Sequence, residues 1–241
     1  IIPTAAALAD GLVAFDAGRA LAGESFDTLA GTFAPGVHTC ASYVTTAASA
    51  VVYLDAKNDA DALFIFKVGG YLVTGASSNI ELMNGASAEN VFWVLGSALT
   101  MGADSLMVGT ILAGSAVTIG ANSDILGRVI AQTTITCSTA CTIQLPVDWS
   151  VSSAPSLSSA PIGSPSASPS VATDSPTSPT DSPTVSPLAP IDLGACEEFN
   201  FAVMAGTSTT CAGTPICEIN GGLGAGTTTT GPFNILEDTT T

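Results

Sequence analysis

Three lines of the chain share one rhythm of apolar and polar positions. They are Val91-Phe-Trp-Val-Leu-Gly-Ser-Ala-Leu-Thr100-Met-Gly, Thr110-Ile-Leu-Ala-Gly-Ser-Ala-Val-Thr118-Ile-Gly and Arg128-Val-Ile-Ala-Gln-Thr-Thr-Ile-Thr136-Cys. Each opens on an apolar run and ends on a threonine between two apolar residues. Thr100, Thr118 and Thr136 recur every 18 residues (118 − 100 and 136 − 118). Side chains of a strand alternate between its two faces. The flanking pairs Leu99/Met101, Val117/Ile119 and Ile135/Cys137 therefore point inward and the threonines outward. A short fixed period of strand-like segments predicts a β-solenoid, in which each coil stacks on the last. The same plan extends back to Leu63, with Val73 in the threonine position, and forward to Pro146. Glycine-led turns follow the threonine strands: Gly75-Ala-Ser-Ser, Gly102-Ala-Asp-Ser and Gly120-Ala-Asn-Ser.

The first strand of each coil has a different pattern. Leu63-Phe-Ile-Phe, Val91-Phe-Trp-Val, Thr110-Ile-Leu-Ala and Arg128-Val-Ile-Ala are apolar on both faces, which predicts strands covered on both sides. The covering element is a helix over Thr4–Leu21, where Ala5, Leu8, Leu12 and Phe15 recur at helical spacing in an alanine-rich background. The helix lies along one face of the solenoid and the threonine face stays open to water. Further strands are predicted after the Pro35-Gly36 turn and at Val51-Val-Tyr-Leu. The polar loop Lys57–Asp61 lacks the EF-hand ligand spacing and reads as a solvated turn.

Composition narrows the partners. The chain of 241 residues carries 4 Lys+Arg against 20 Asp+Glu, a net charge of −16. That balance repels phosphate backbones and anionic membranes, so nucleic acid and membrane insertion are both excluded from the reading. There is no run of 18 apolar residues to span a bilayer. The six cysteines form no C-x-x-C pair, and His38 is the only histidine, so no metal set and no cofactor are expected. An even cysteine count favours disulfides and an oxidising compartment. The short spacings 137/141 and 211/217 suggest local bridges with Cys40–Cys196 as the remainder, one of about 15 possible connectivities.

Three domains of sequence are distinguished. Residues 1–146 hold the helix and the solenoid. Residues 147–192 are rich in Ser, Pro and Thr with repeated Ser-Pro steps, which predicts an extended spacer resembling a mucin-type O-glycosylation region. Residues 193–241 return to ordered-looking sequence, Gly- and Thr-rich. Ile1-Ile-Pro has neither the basic region nor the cleavage site of a signal peptide; the chain reads as starting within a domain, and secretion is the expected localisation.

Residues 31–146 resemble the ice-binding domain found in polar microalgae, fungi and bacteria. The matching motifs are Phe33-Ala-Pro-Gly-Val-His-Thr-Cys40, Ala62-Leu-Phe-Ile-Phe-Lys-Val-Gly69, Leu82-Met-Asn-Gly-Ala86, Asn90-Val-Phe-Trp-Val-Leu-Gly-Ser97, Val108-Gly-Thr-Ile-Leu-Ala113 and Gly127-Arg-Val-Ile-Ala-Gln132, in family order. The resemblance implies a mostly β fold: a right-handed, three-sided, discontinuous β-solenoid with one long α-helix packed along a face. It also implies adsorption to an ice crystal surface. One departure is large. The opening segment of such domains resembles Leu193-Gly through Phe201-Ala-Val-Met-Ala-Gly206, which here lies at the far end of the chain. The segment either completes the same domain or opens the next copy in a tandem array. Closure is possible, since a spacer of about 44 residues reaches roughly 130 Å and a stack of about six coils is only about 30 Å long.

A threonine array suits such a surface. Threonine offers a methyl and a hydroxyl together, and its β-branch holds the side chain stiff. The candidate ice-binding residues are Thr100, Thr118 and Thr136, with Thr74, Ser77 and Asn122 at the margins. Val73 and Asp104 interrupt the pattern. Threonine is also common on any exposed strand, so two other classes of protein share this pattern. An enzyme of the polysaccharide-active β-helix type needs converging carboxylates or basic groups. Here those groups are scattered, His38 has no nucleophile beside it, and Trp93 falls in a doubly buried strand, so no catalytic residue is assigned. A secreted or cell-surface adhesive module would fit the Ser/Pro spacer.

Overall fold

The structure, a computed structural model, describes residues 4–146, 201–213, 216–225 and 228–236. The Ser/Pro-rich stretch, Trp149 and Cys196 lie outside them. One helix, α1 (Thr4–Ala20), precedes strands that assemble into three parallel sheets of eight, seven and eight strands. Each coil contributes one strand to each sheet in turn, so the molecule is a three-sheeted β-solenoid.

The helix-side sheet takes the doubly apolar strands Phe64–Val68, Val91–Leu95, Thr110–Ala113 and Val129–Ala131. Its inward row holds Phe66, Trp93, Ile111 and Val129. His38, Phe66 and Trp93 stack ring on ring, at 5.1 and 4.3 Å between centroids. The Trp93 indole donates to Val108 O at 2.8 Å, which satisfies the one polar group such a ring buries. His38 is likewise internal: its Nε2 lies 2.8 Å from Ala34 O.

The outward row of the same sheet, Ile65, Phe92, Val94, Leu112, Ile130 and Met204, packs against Ala14 and Phe15 of α1. A helix of 17 residues is about 26 Å long, and the five strands it crosses span about 19 Å. Length alone therefore lets one helix cover the whole run. Its C-terminal carbonyls are met by Lys67, whose Nζ donates to Arg19 O at 3.3 Å and to Leu21 O. A cation at that end complements the helix dipole.

The coils are not all of one length. From Val73 to Thr100 the step is 27 residues (100 − 73), against 18 in the next two. Most of the extra chain forms a corner at Asn84–Asn90, with a left-handed Asn84-Gly85 and a short 3₁₀ turn over Ala88–Asn90. The strand register on either side is undisturbed.

Strands from residues 201–236 join the same three sheets. Phe201–Ala205 pairs with Val129–Ala131, Ser208–Cys211 with Thr134–Cys137, and Cys217–Asn220 with Thr142–Gln144, all parallel. Gly222–Ala225, Thr228–Thr230 and Phe233–Leu236 add a further layer. The stack is thus longer than the six coils read from the sequence: eight strands, or about 34 Å.

Candidate functional site

The seven-stranded sheet carries the threonines. Its strands are Val44–Thr45, Leu72–Val73, Leu99–Thr100, Val117–Ile119, Thr134–Cys137, Ser208–Cys211 and Thr228–Thr230. Inward positions form a continuous ladder of Val44, Leu72, Leu99, Val117 and Ile135, each at most 1% exposed. That ladder fixes the parity, because a one-residue slip would put all five into water.

The outward partners align in register as Thr45, Val73, Thr100, Thr118, Thr136, Thr210 and Thr230. Six of seven are threonine, about 4.8 Å apart along the stack. The predicted Thr100, Thr118 and Thr136 stand at the centre of the row, on the solvent side. Thr45, Thr210 and Thr230 extend it beyond what the 18-residue period revealed. Two residues earlier in each strand lies a second outward row. It holds the half-buried Ala98 and Ala116, then Thr134 and Ser208. At the far end it begins with Tyr43 and Tyr71, exposed and stacked 5.0 Å apart.

The marginal candidates divide. Ser77 and Asn122 lie at the exposed corner after the threonine strands, in left-handed backbone at φ 58° and 53°, stacked with Asp104 at 55°. Asn122 Nδ2 donates to Asp104 Oδ1 at 3.1 Å, so the carboxylate belongs to the corner and not to the threonine row. Thr74 is a correction. It is only 7% exposed, and its Oγ1 accepts from Gly102 N at 3.1 Å. Alternation from the outward Val73 turns Thr74 inward, where its hydroxyl serves the next coil's corner. The corner itself is tight: a Cβ on Gly102 would lie 2.5 Å from the Gly75 backbone, and one on Gly120 equally close to that of Gly102. Glycine lets successive coils stack there without a step.

The outward surface of this sheet is regular and uncharged. Across its described strands the register runs strand to strand without a bulge, whereas the helix-side sheet has one between Phe201 and Val203. Its described outward positions carry no Asp, Glu, Lys or Arg. The third sheet, also open to water, displays Glu81, Asp124 and Glu218 among its exposed positions and Asp55 half-buried. In a chain with net charge −16, the threonine sheet is the face spared of charge.

Fold and face together define a helix-flanked parallel β-solenoid with one flat, uncharged, threonine-lined side. The ice-binding-like family model matches residues 3–143, and the chain belongs to that family. An ice-binding protein of Nostoc sp. (strain HG1) is 38% identical over 82 residues, 34% of this chain and 29% of that protein. An ice-binding protein from the Antarctic ascomycete Antarctomyces psychrotrophicus superposes with a TM-score of 0.53 at 36% identity, covering 55% of this chain and 67% of that one. The corresponding values for ice-binding protein 1 of Shewanella frigidimarina are 0.51, 28%, 54% and 58%. The matched stretch spans less than a third of the Nostoc protein.

Proposed function

We propose that the protein adsorbs to ice through the threonine sheet and thereby inhibits ice growth or recrystallisation. The observation that carries this reading is the in-register row of six threonines in seven strands on a charge-free, unbulged surface. Ordered water at an ice front is matched by repeated hydroxyls at fixed spacing, with methyl groups between them. The β-branched side chains lose little freedom on docking. A charged group would instead hold its own hydration shell, which argues against the third sheet. Family membership supports the same reading. The face acts by adsorption, without catalysis and without a cofactor.

Two organisational points belong to the proposal. Residues 193–241 complete the same domain across the spacer, a reading supported by the parallel pairing of 201–236 with the last solenoid coil. Tandem copies of the domain would use the same seam. No helix among the described residues is long and apolar enough to cross a membrane, and we assign the protein to the extracellular space on its disulfide chemistry.

The test is ice growth in a nanolitre osmometer. Wild-type protein is expected to slow and facet growing crystals. Thr118→Tyr, at the centre of the row, is expected to return growth to the buffer baseline while the melting curve stays unchanged. Asp124→Tyr, at the same height on the third sheet, is expected to retain activity. Loss through Asp124→Tyr with retention in Thr118→Tyr would move the site to the other face. Ordinary ice growth with folded wild type would remove the reading altogether.

A further inference from the structure

The corner between the threonine sheet and the third sheet recurs in each coil, and its inward position is serine three times: Ser78, Ser105 and Ser123, all buried. Ser105 Oγ donates to Gly75 O at 3.2 Å and Ser123 Oγ to Gly102 O at 2.9 Å, each reaching one coil back. Cys141 takes that place in the following coil, with its Sγ 3.2 Å from Gly120 O. In the coil beyond, the place falls to Cys217, since Thr142 registers with Glu218. The residue that closes the threonine strand changes in step. It is Met101 and Ile119 in two of the serine coils, then Cys137 and Cys211, which are direct partners across the ladder. Cysteine thus enters both positions of a coil together, in two successive coils.

Cys211 and Cys217 form a disulfide, whereas Cys137 and Cys141 are buried thiols. The sulfurs of Cys137, Cys141 and Cys217 lie within 4.8 Å of one another. The hydrogen bond between the two thiols pushes Cys137 up and holds Cys141 below the ordinary thiol value. Cys141 is therefore the better thiolate of the two.

We propose that Cys137 and Cys141 are an oxidisable pair that closes as a second disulfide, stacked on Cys211–Cys217 at the seam where residues 201–236 meet the solenoid. The oxidant is a small-molecule disulfide such as oxidised glutathione. The Cys141 thiolate attacks one of its sulfurs, forming a mixed disulfide and releasing one glutathione thiolate. The Cys137 thiolate then attacks Cys141 Sγ, forming the protein bridge and releasing the second. The two protons leave with the two reduced glutathiones, so the exchange balances. Both residues are almost fully buried in the stacked coils, which places the reaction late in folding, once the two thiols are paired and before residues 201–236 close over them. The bridge has a consequence for the seam. A lone Cys141 thiolate can attack Cys217, expel Cys211 and join two coils covalently. Closing Cys137–Cys141 removes that nucleophile.

The chain allows a direct test. Cleavage before aspartate releases fragment 124–147, bearing Cys137 and Cys141, and fragment 192–237, bearing Cys196, Cys211 and Cys217. Full-length protein folded in a glutathione redox buffer is denatured, alkylated and digested without reduction. The expected fragment 124–147 is separate, unalkylated and about two hydrogen masses lighter than its reduced form. A doubly alkylated fragment, or one joined to 192–237, overturns the proposal. In Cys137→Ser the two fragments are expected to appear joined, and in Cys137→Ser/Cys141→Ser separate. Absence of the joined species from folded Cys137→Ser refutes the protective role. The wild-type digest decides the pairing even if the variants fail to fold.

Discussion

Thr209→Val probes whether the distant C-terminal strand is seated in the stack. Thr209 pairs with Ile135 and continues the inward ladder of Val117 and Leu99. It is 0% exposed, and its hydroxyl finds no hydrogen-bond partner among the described residues. Leaving a hydroxyl buried and unpaired costs about 1–3 kcal/mol. Valine replaces it with a methyl of similar size, so the ladder is neither overpacked nor emptied. A gain of about 1–2 kcal/mol is expected. For a chain of this size each kcal/mol moves Tm by about 2–4 °C, giving a rise of roughly 2–8 °C in calorimetry. The urea midpoint should rise with an unchanged slope. Thr210→Val, one residue on and pointing outward, is the control and should stay within about 0.5 kcal/mol of wild type. An unchanged or lowered Tm in Thr209→Val would refute the reasoning, because it would mean that the hydroxyl is solvated and the strand is not packed with this face inward.

Two further expectations follow from the corners. Gly102→Ala places a methyl about 2.5 Å from the Gly75 backbone, which must shift a coil and should cost about 1–3 kcal/mol by urea melting. Asp55 Oδ1 accepts from Asn84 Nδ2 at 2.7 Å and from Lys57 N at 2.8 Å. Those bonds, Asn84's first, hold its carboxyl below the ordinary value of 3.8. Its contribution is therefore present above the ordinary carboxylate value and is lost as pH falls through the lowered one. A carboxyl-carbon NMR titration of Asn84→Ala should move the Asp55 midpoint upward, toward the ordinary value.

The features legible in the sequence were those set by strict repetition. Three coils of equal length put Thr100, Thr118 and Thr136 in one column, and the doubly apolar runs required a cover that α1 supplies. Thr45 was hidden by the longer coils before Thr100, since an insertion at a corner shifts the numbering without disturbing the register. Thr210 and Thr230 were hidden by the Ser/Pro stretch, because strand pairing across so large a separation leaves no local period to detect. Thr74 failed for a different reason. The alternation that makes Val73 outward already turns Thr74 inward, but the strand is only Leu72–Val73, and at a corner a side chain answers to the next coil's backbone as much as to parity. The cysteines fall between these cases. The spacing of Cys211 and Cys217 pointed to a local bridge, which is present; the same reading of Cys137 and Cys141 meets two thiols in the structure, and Cys40 is a free thiol donating toward Tyr43 O at 3.6 Å.

The same rule explains why one face and not another stays clean of charge. Every coil must supply its inward ladder, its helix-side row and a tight corner, and those positions are fixed by packing. The remaining outward positions are free, and the chain has 20 acidic residues to place on them or in its loops and termini. On the third sheet they were placed outward, at Glu81, Asp124 and Glu218. On the threonine sheet they were not, even though neighbouring rows are about 4.8 Å apart and equally solvated. Packing does not require that difference, since a carboxylate in place of Thr118 would touch no core residue. Stability measurements on the outward row should accordingly be flat, with substitutions registering only in ice growth, and a Thr118→Asp variant that melts like wild type yet no longer facets ice would separate the two roles.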